Sequence, residues 1–225
     1  MASSVQGRLK EDTELALSLL LSLLLAQSPA APTSKAPSGQ AQSRIADSIR
    51  KQIVTLPTYG VFDWITFSLD GYNVILSGFA SRPTLKTSAE RVAKNVEGVS
   101  VVDNRIETLP LLPNDDRVRT QAYIRIYGDS NMSRYNPNRG APIFVSPAAM
   151  ASGLTNDPPV GNHPIHIVVR NGDIRLYGMV LNEADKTQVG MLANQVTGAF
   201  SVENHLTVET AKKDSGPSSP RRSER

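Results

Sequence analysis

The residues that could carry out chemistry are few, and their spacing matches no common catalytic motif. The chain has three histidines and no cysteine, which excludes disulfides, thiol catalysis and cysteine-ligated metals. His163 and His166 are three residues apart, and His205 lies on a predicted strand. A zinc site needs further ligands in suitable geometry. We therefore expect exposed strand histidines at His166 and His205 rather than a metal centre.

Carboxylates offer a second kind of chemistry, because paired acids can act as general acid and base. Asp115 and Asp116 come just before a predicted helix, which favours a capping role. Asp103 and Glu203 lie at positions of predicted strands whose side chains face away from the core. The sequence has no G-x-S-x-G or H-E-x-x-H motif and no glycine loop of the phosphate-binding type. We therefore expect no enzymatic activity, no cofactor and no metal.

An internal repeat determines where these residues lie. The stretch from Ile65 to Ile106 matches, without a gap, the stretch that begins 100 positions later. The identical pairs include Leu76/Leu176, Gly78/Gly178, Gly98/Gly198 and Asn104/Asn204. The chain therefore contains two copies of one structural unit.

Each copy contains a predicted hairpin and a third strand. Apolar residues alternate at 65–69 and again at 165–169, which predicts the first strand of each hairpin. Asp70-Gly71 and Asn171-Gly172 predict the tight turns, because these residues tolerate positive φ. A further alternating segment near the end of each copy predicts the third strand.

Two helices complete each copy. The spacing of four between Ile45, Ile49 and Ile53 predicts a helix ahead of the first hairpin. A second helix follows each hairpin, with Ser81 and Asn182 as predicted N-caps. The predicted fold class is α+β: two tandem α-β-β-α-β two-layer sandwiches, each with a three-stranded sheet and two helices.

Glycines stand at matching positions in the two copies. Gly78 and Gly178 lie where each hairpin leads into a helix, and two interpretations are open. They could present bare backbone to a lipid head group or partner, or they could form a tight exit from the strand. Gly98 and Gly198 are predicted to end the second helices in a left-handed conformation.

Asn104 and Asn204 share the phase of buried strand neighbours. A buried amide requires hydrogen-bond partners, so we expect these side chains to join the strand to nearby loop backbone. Contact with a ligand is the alternative interpretation. With Gly98 and Gly198, they form the predicted structural signature of the repeat.

The repeat resembles the BON domain family, small modules of exported bacterial proteins. The resemblance rests on the segments Val74–Gly78, Val96–Val99 and Val102–Ile106, and on Ile174–Gly178, Val196–Gly198 and Val202–Leu206. It covers about residues 43–110 and 115–210, which are the predicted domains. It implies non-enzymatic modules that bind phospholipid or attach proteins to membranes, often in the periplasm and in stress-related proteins.

The two ends of the chain predict export and a disordered tail. Residues 1–30 predict a signal peptide, because basic Arg8 and Lys10 precede an apolar run too short to cross a bilayer. The alternatives are an uncleaved anchor and an amphipathic terminal helix. Residues 31–42 predict a flexible linker, and residues 211–225 predict a disordered basic tail. Without this tail the body is nearly neutral, so no nucleic-acid partner is expected.

The second copy differs from the first by a proline-rich insertion at about 128–163. It contains the apolar residues Ile143, Phe144, Val145 and Met150. Loops of this length are usually functional or disordered. The apolar residues could dock on a membrane or partner, or they could fold back and cover the sheet or the seam between the copies.

These observations lead to two hypotheses about function. The first is an exported, periplasmic protein without catalytic activity, whose tandem modules contact anionic phospholipid or another envelope component. Gly78, Gly178 and the apolar residues of the insertion are its candidate contacts, and two modules would raise avidity. The second is a structural or chaperone-like protein that binds a protein partner through the insertion.

Overall fold

The computed structural model describes residues 38–137 and 163–209. Both segments belong to one compact unit. Within it, the elements repeat in the order helix, two strands, helix and two further short strands. The predicted α+β fold class, with two similar sandwiches, is confirmed.

The first module begins four residues earlier than predicted. Its elements are α1 (Gly39–Val54), β1 (Trp64–Asp70), β2 (Asn73–Ala80), α2 (Pro83–Lys94), β3 (Val101–Asn104) and β4 (Glu107–Thr108). Ser38 is the N-cap of α1, and its side chain accepts a hydrogen bond from the Ala41 amide at 3.4 Å. The predicted linker 31–42 therefore extends too far, because its last residues are helical.

The second module follows directly, and its first helix is joined to a short helix of the 3₁₀ type. Its elements are α3 (Pro113–Gly128), the 3₁₀ helix (Ser130–Tyr135), β5 (Ile165–Arg170), β6 (Asp173–Val180), α4 (Glu183–Asn194), β7 (Ser201–Asn204) and β8 (Thr207–Val208). The 3₁₀ helix occupies the start of the predicted insertion.

Each sheet has four strands rather than the three predicted. The order is β1-β2-β3 in the first module and β5-β6-β7 in the second, with the first pair antiparallel and the second pair parallel. After a two-residue break, the chain pairs again with the central strand as β4 or β8. The first strand of each module therefore lies at an edge of its sheet.

Both modules bury one face of the sheet under their two helices. In the first module Ile49 of α1, Leu85 of α2 and Leu76 of β2 are fully buried. Burial of each such side chain stabilises the fold by about 1.5–3 kcal/mol. The spacing of four along α1 therefore predicted its core face correctly.

The helix ends agree only in part with the predictions. Asn182 is the N-cap of α4 as predicted, and its side chain accepts a hydrogen bond from the Asp185 amide at 2.8 Å. Ser81 is not a cap, since Arg82 is the N-cap of α2. Gly98 and Gly198 do not end the helices either. Both have φ of 90° but lie in the turns that follow the helix C-caps, Asn95 and Gln195.

Candidate binding surfaces

The segment that precedes β1 packs into the second module. Val61 and Phe62 are fully buried in the core that includes Val118, Tyr123 and Ile126 of α3. The rings of Phe62 and Tyr123 meet edge to face, with centroids 6.3 Å apart. Their burial shows that the second module takes part of its core from the connection that leads into the first sheet.

Val61 also hydrogen-bonds to the edge of the second sheet. Its carbonyl oxygen accepts a hydrogen bond from the Ile167 amide at 2.8 Å. Residues at alternate positions along an edge strand direct their amides away from the sheet. Val61 and Phe62 lie in a turn, and this one backbone hydrogen bond attaches that turn to the edge of β5.

Side chains of α3 cover the rest of that edge. The Tyr127 hydroxyl donates to the Ile165 carbonyl at 2.5 Å and accepts from the Ile165 amide at 3.1 Å. The Arg119 guanidinium donates to the Val169 carbonyl at 2.7 Å. Burial raises the pKa of Tyr127, and so keeps its hydroxyl protonated as a donor. Both backbone groups of Ile165, the Ile167 amide and the Val169 carbonyl therefore have partners at this edge.

The equivalent edge of the first sheet borders an open groove. The groove has a volume of about 430 Å³ and is lined by Arg50, Ile53 and Val54 of α1, Tyr59, Trp64–Phe67 of β1, and His166. Tyr59 hydrogen-bonds to the backbone of Ile65, and its burial raises its pKa. No other strand formed by residues 38–137 or 163–209 pairs with this edge of β1.

His166 closes one end of this groove, and the prediction that it is exposed is wrong. It does point away from the helices of its own module, but it is only 8% exposed because Tyr59 and Trp64 cover it. Its ring centroid lies 5.4 Å from that of Tyr59 and 5.2 Å from that of Trp64. Burial, with a smaller effect of neighbouring His163, lowers the pKa of His166 to about 4.

A row of rings joins the outer faces of the two sheets. Tyr177 stacks on Trp64 at 5.4 Å and on His205 at 5.1 Å, with interplanar angles of 6° and 12°. Phe79 lies 6.3 Å from Tyr177, and the Arg175 guanidinium lies 5.8 Å from the Phe79 ring. Stacked aromatic pairs contribute about 0.5–1.5 kcal/mol beyond their buried area. The row therefore helps to hold the two modules together.

The second module also carries an apolar end. Leu111, Leu112 and Phe200 are 65%, 41% and 80% exposed. The Asp115 carboxylate accepts a hydrogen bond from the Gly172 amide at 2.8 Å, and the Phe200 amide donates to the Gly172 carbonyl at 2.9 Å. These bonds bring the start of α3 and the segment before β7 to the same end of the module. Its three exposed apolar side chains are called the apolar tip below.

The predicted glycines occupy a crowded part of each hairpin. A β-carbon on Gly78 would lie 2.1 Å from the Trp64 carbonyl oxygen, and one on Gly178 would lie 2.0 Å from that of Pro164. Both residues also have positive φ. The geometry explains the glycines through close approach of the two strands. Neither glycine lines the groove, and a binding role for them stays a prediction.

The other predicted contacts lie outside the described residues. Ile143, Phe144, Val145 and Met150 fall within residues 138–162, for which the structure gives no placement. Their role in docking, or in covering the sheet, therefore stays a prediction.

The paired asparagines are hydrogen-bonded, but their partner is a helix rather than a loop. Asn104 donates to the Lys86 carbonyl of α2 at 3.0 Å, and Asn204 donates to the Lys186 carbonyl of α4 at 2.8 Å. Each side-chain oxygen accepts the amide two residues later, at 3.2 Å. The asparagines therefore attach helix to sheet where the third strand breaks.

A buried polar cluster in the second module was not foreseen. The Asp185 carboxylate accepts hydrogen bonds from Arg134 and from the Tyr135 hydroxyl, both at 2.5 Å, and from Asn182 at 3.1 Å. The repeat places Leu85, fully buried, at the same position of the first module. The sequence did contain a signal for this cluster: an aspartate stands where the other copy has a core leucine.

A second buried acid lies in the connection before β1. Asp63 is fully buried and accepts hydrogen bonds from the Ser81 amide at 2.6 Å and the Gly60 amide at 2.9 Å. Burial raises its pKa, and these hydrogen bonds act in the opposite direction. Asp63 thus fixes the segment that places Val61 against the second module.

The described residues contain neither a candidate metal site nor a candidate membrane span. Within residues 38–137 and 163–209, no group of three or more histidine or acidic side chains is placed to hold a metal ion. In the same ranges, no helix has the length and apolar character needed to cross a membrane.

Comparisons with known proteins identify the repeat. The BON domain model matches residues 41–110 and 148–210. A search of curated proteins finds no significant match. The C-terminal domain of CdsD, the structural protein of the type III secretion system of Chlamydia trachomatis, has 17% sequence identity over 72% of this chain and 96% of that chain, with a TM-score of 0.22. A second CdsD structure has 17% identity over 74% and 92%, with the same TM-score.

Proposed function

Because the chain belongs to the BON domain family, which matches more than half of it, we propose that it is a non-catalytic binding protein of the cell envelope that contacts phospholipid surfaces. The envelope location rests on the signal-like N-terminal sequence and on what the family implies. The non-catalytic role rests on the lack of catalytic motifs in the sequence. The phospholipid contact rests on one structural observation.

That observation is the apolar tip of the second module. Phe200 is 80% exposed although a large aromatic side chain is usually buried. Transfer of such a side chain from water into an apolar phase is favourable by about 1.5–3 kcal/mol. The exposed Arg117 lies in the first turns of α3, close to the tip, where it would meet the lipid head groups. The apolar tip therefore has the composition of a membrane contact.

Charge gives the described body little attraction for anionic lipid. Residues 38–137 and 163–209 contain equal numbers of basic and acidic side chains. Long-range steering toward an anionic surface therefore requires the basic residues beyond Glu209. We infer that the basic tail attracts the protein to anionic lipid and that the side chains of the apolar tip insert into the bilayer.

Vesicle co-sedimentation of the full chain tests this function. Phe200→Ser introduces the residue found at the matching position 100 of the first module. It should weaken binding to phosphatidylcholine–phosphatidylglycerol vesicles about tenfold, the equivalent of 1.4 kcal/mol. Val101→Ser is the matched control, because Val101 is also an exposed apolar residue, at 59%, but lies on the first module.

Two results would contradict the proposal. The first is equal binding of Phe200→Ser and Val101→Ser, which would remove the apolar tip from the contact. The second is complete loss of binding in a chain that ends at Glu209, which would attribute the whole interaction to the basic tail.

A further inference from the structure

We propose that the open edge of β1 binds an extended segment of another protein, which adds to the first sheet as a β-strand. This proposal is independent of the phospholipid contact, since it concerns the opposite module and a different kind of partner. It rests on the way in which the second module fills its own equivalent edge.

The second module shows how an apolar segment can bind at this edge through its backbone and its side chains. Val61 accepts a hydrogen bond from the Ile167 amide, and Val61 and Phe62 bury their side chains between β5 and α3. The repeat places Phe67 where Ile167 lies, with the same register against the central strand. The Phe67 amide therefore points toward the groove as the Ile167 amide points toward Val61.

The first helix of the first module lacks the polar side chains that close the other edge. The core residues Ile45, Ile49 and Ile53 match Val118, Ala122 and Ile126. In this alignment Val54 stands in place of Tyr127, and Ala46 stands in place of Arg119. Valine and alanine side chains cannot donate hydrogen bonds to the strand. The residues that the structure describes therefore leave the outer backbone of β1 beyond Ile65 without a strand partner.

The groove also determines what the partner must offer. Val54, which is 53% exposed, and Phe67 present apolar walls, so the partner needs an apolar or aromatic side chain. The Arg50 guanidinium lies 6.0 Å from the Phe67 ring and pairs with Asp47 at 3.0 Å in an exposed contact. Its remaining N–H donors favour an acidic residue of the partner beside the apolar ones. An exposed strand edge next to such a groove is the usual setting for recognition by strand addition. The segment Val61-Phe62-Asp63 has this composition itself.

A peptide with the sequence of residues 58–63 is therefore a suitable probe. We expect a fluorescent, end-capped form to bind the full chain, with saturable fluorescence anisotropy, and to slow hydrogen exchange of the Phe67 amide. Val54→Glu should weaken binding at least about tenfold, because it places a charge in the apolar wall. Val101→Glu is the matched control, since this valine is equally exposed but is absent from the groove, and its affinity should stay within about twofold.

A backbone change in the peptide separates strand addition from simple apolar contact. An ester in place of the amide between its valine and phenylalanine weakens the valine carbonyl as a hydrogen-bond acceptor. We expect this peptide to bind several-fold more weakly while its side chains are unchanged. Equal affinity of the ester and amide peptides would overturn the strand-addition geometry.

Two further results would overturn the proposal. One is the absence of saturable binding to the full chain. The other is binding that occurs only after Ile143→Gly, Phe144→Ser and Val145→Gly replacements, because the occupant would then be a segment of this chain and not another protein. Neither result depends on vesicle binding, so the proposed phospholipid contact would stand or fall separately.

Discussion

At the outer edge of β5, hydrogen bonds come from Val61, Arg119 and Tyr127. At the equivalent edge of β1, the described residues provide one such contact, between Tyr59 and the backbone of Ile65. The sheets and their registers are otherwise alike. Repetition of a fold therefore does not imply repetition of its surfaces. A comparison of the two copies shows which edge is covered by the described residues and which edge they leave uncovered.

The two modules also differ beneath their helices. Leu85 is an ordinary core residue of the first module, whereas its counterpart Asp185 is bonded to Arg134 and Tyr135. These two partners belong to the 3₁₀ helix, an element that the first module lacks. The buried carboxylate of Asp185 therefore occurs in the module that has the 3₁₀ helix to provide its hydrogen-bond partners. A buried charge requires such partners.

The largest loss of stability is expected when Phe62 is replaced, because this residue of the connection before β1 completes the core of the second module. Phe62→Ala should lower the free energy of unfolding by about 3–5 kcal/mol, because it empties a fully buried site. Phe79→Ala, at a partly buried ring on the outer sheet face, is the matched control and should cost less. Urea denaturation measures both. Equal losses would contradict the assignment of Phe62 to the second core.

Acid should weaken the contact between the modules through His166. Its pKa falls from 6.5 in the unfolded chain to about 4 in the folded one, so the unfolded state takes up the proton first as the pH falls. The contribution of neutral His166 to the free energy of unfolding is complete above pH 6.5 and is lost between pH 6.5 and 4. The loss is about 1.4 kcal/mol per pH unit and about 3 kcal/mol in total.

Unfolding at pH 7 and pH 4.5 checks this prediction. The His166→Thr variant carries the residue found at position 66 of the first module, and it should show a smaller loss of stability between these two pH values. An identical loss in both proteins would show that His166 does not carry the effect.

Asp185→Ala should lower the free energy of unfolding by about 1–3 kcal/mol, because it leaves the buried Tyr135 hydroxyl without its acceptor. Asp173→Ala removes a carboxylate that accepts a hydrogen bond from the exposed Ser201, and should change stability by less than about 0.5 kcal/mol. Thermal unfolding of the two variants gives the comparison. A small effect of Asp185→Ala would show that the cluster is not a source of stability.

The smallest effect on stability is expected when the ion pair between the two modules is removed. Arg170 and Glu107 approach to 2.7 Å, but both side chains are about half exposed. A double-mutant cycle with Arg170→Ala and Glu107→Ala should give a coupling energy of about 0.2–1 kcal/mol, which decreases with added salt. A larger, salt-independent value would mean that this contact rather than the aromatic row fixes the two modules.

The sequence could predict what each copy forms by itself, and less of what the copies form together. The isoleucine spacing of α1 and the paired asparagines follow local rules of periodicity and hydrogen bonding. The burial of His166 depends on Tyr59 and Trp64, which are far away in sequence. Strand phase correctly placed His166 on the outer face but could not show that another module covers that face.

The groove and the apolar tip were missed for the same reason. Val61 and Phe62 look like ordinary residues of a connection until their partners in α3 are known. Phe200 stands beside a strand whose pattern does not reveal its 80% exposure. A comparison of aligned positions, such as Tyr127 with Val54, would have predicted that the first helix covers the strand edge differently in the two modules.

Residue-resolved amide hydrogen exchange tests the central difference between the modules most directly. The Ile167 amide, bonded to Val61, should exchange only on extensive unfolding, whereas the Phe67 amide at the equivalent position should exchange at least about a hundredfold faster. Similar protection of the two amides would contradict the account, because it would show that the edge of β1 is closed in the protein alone.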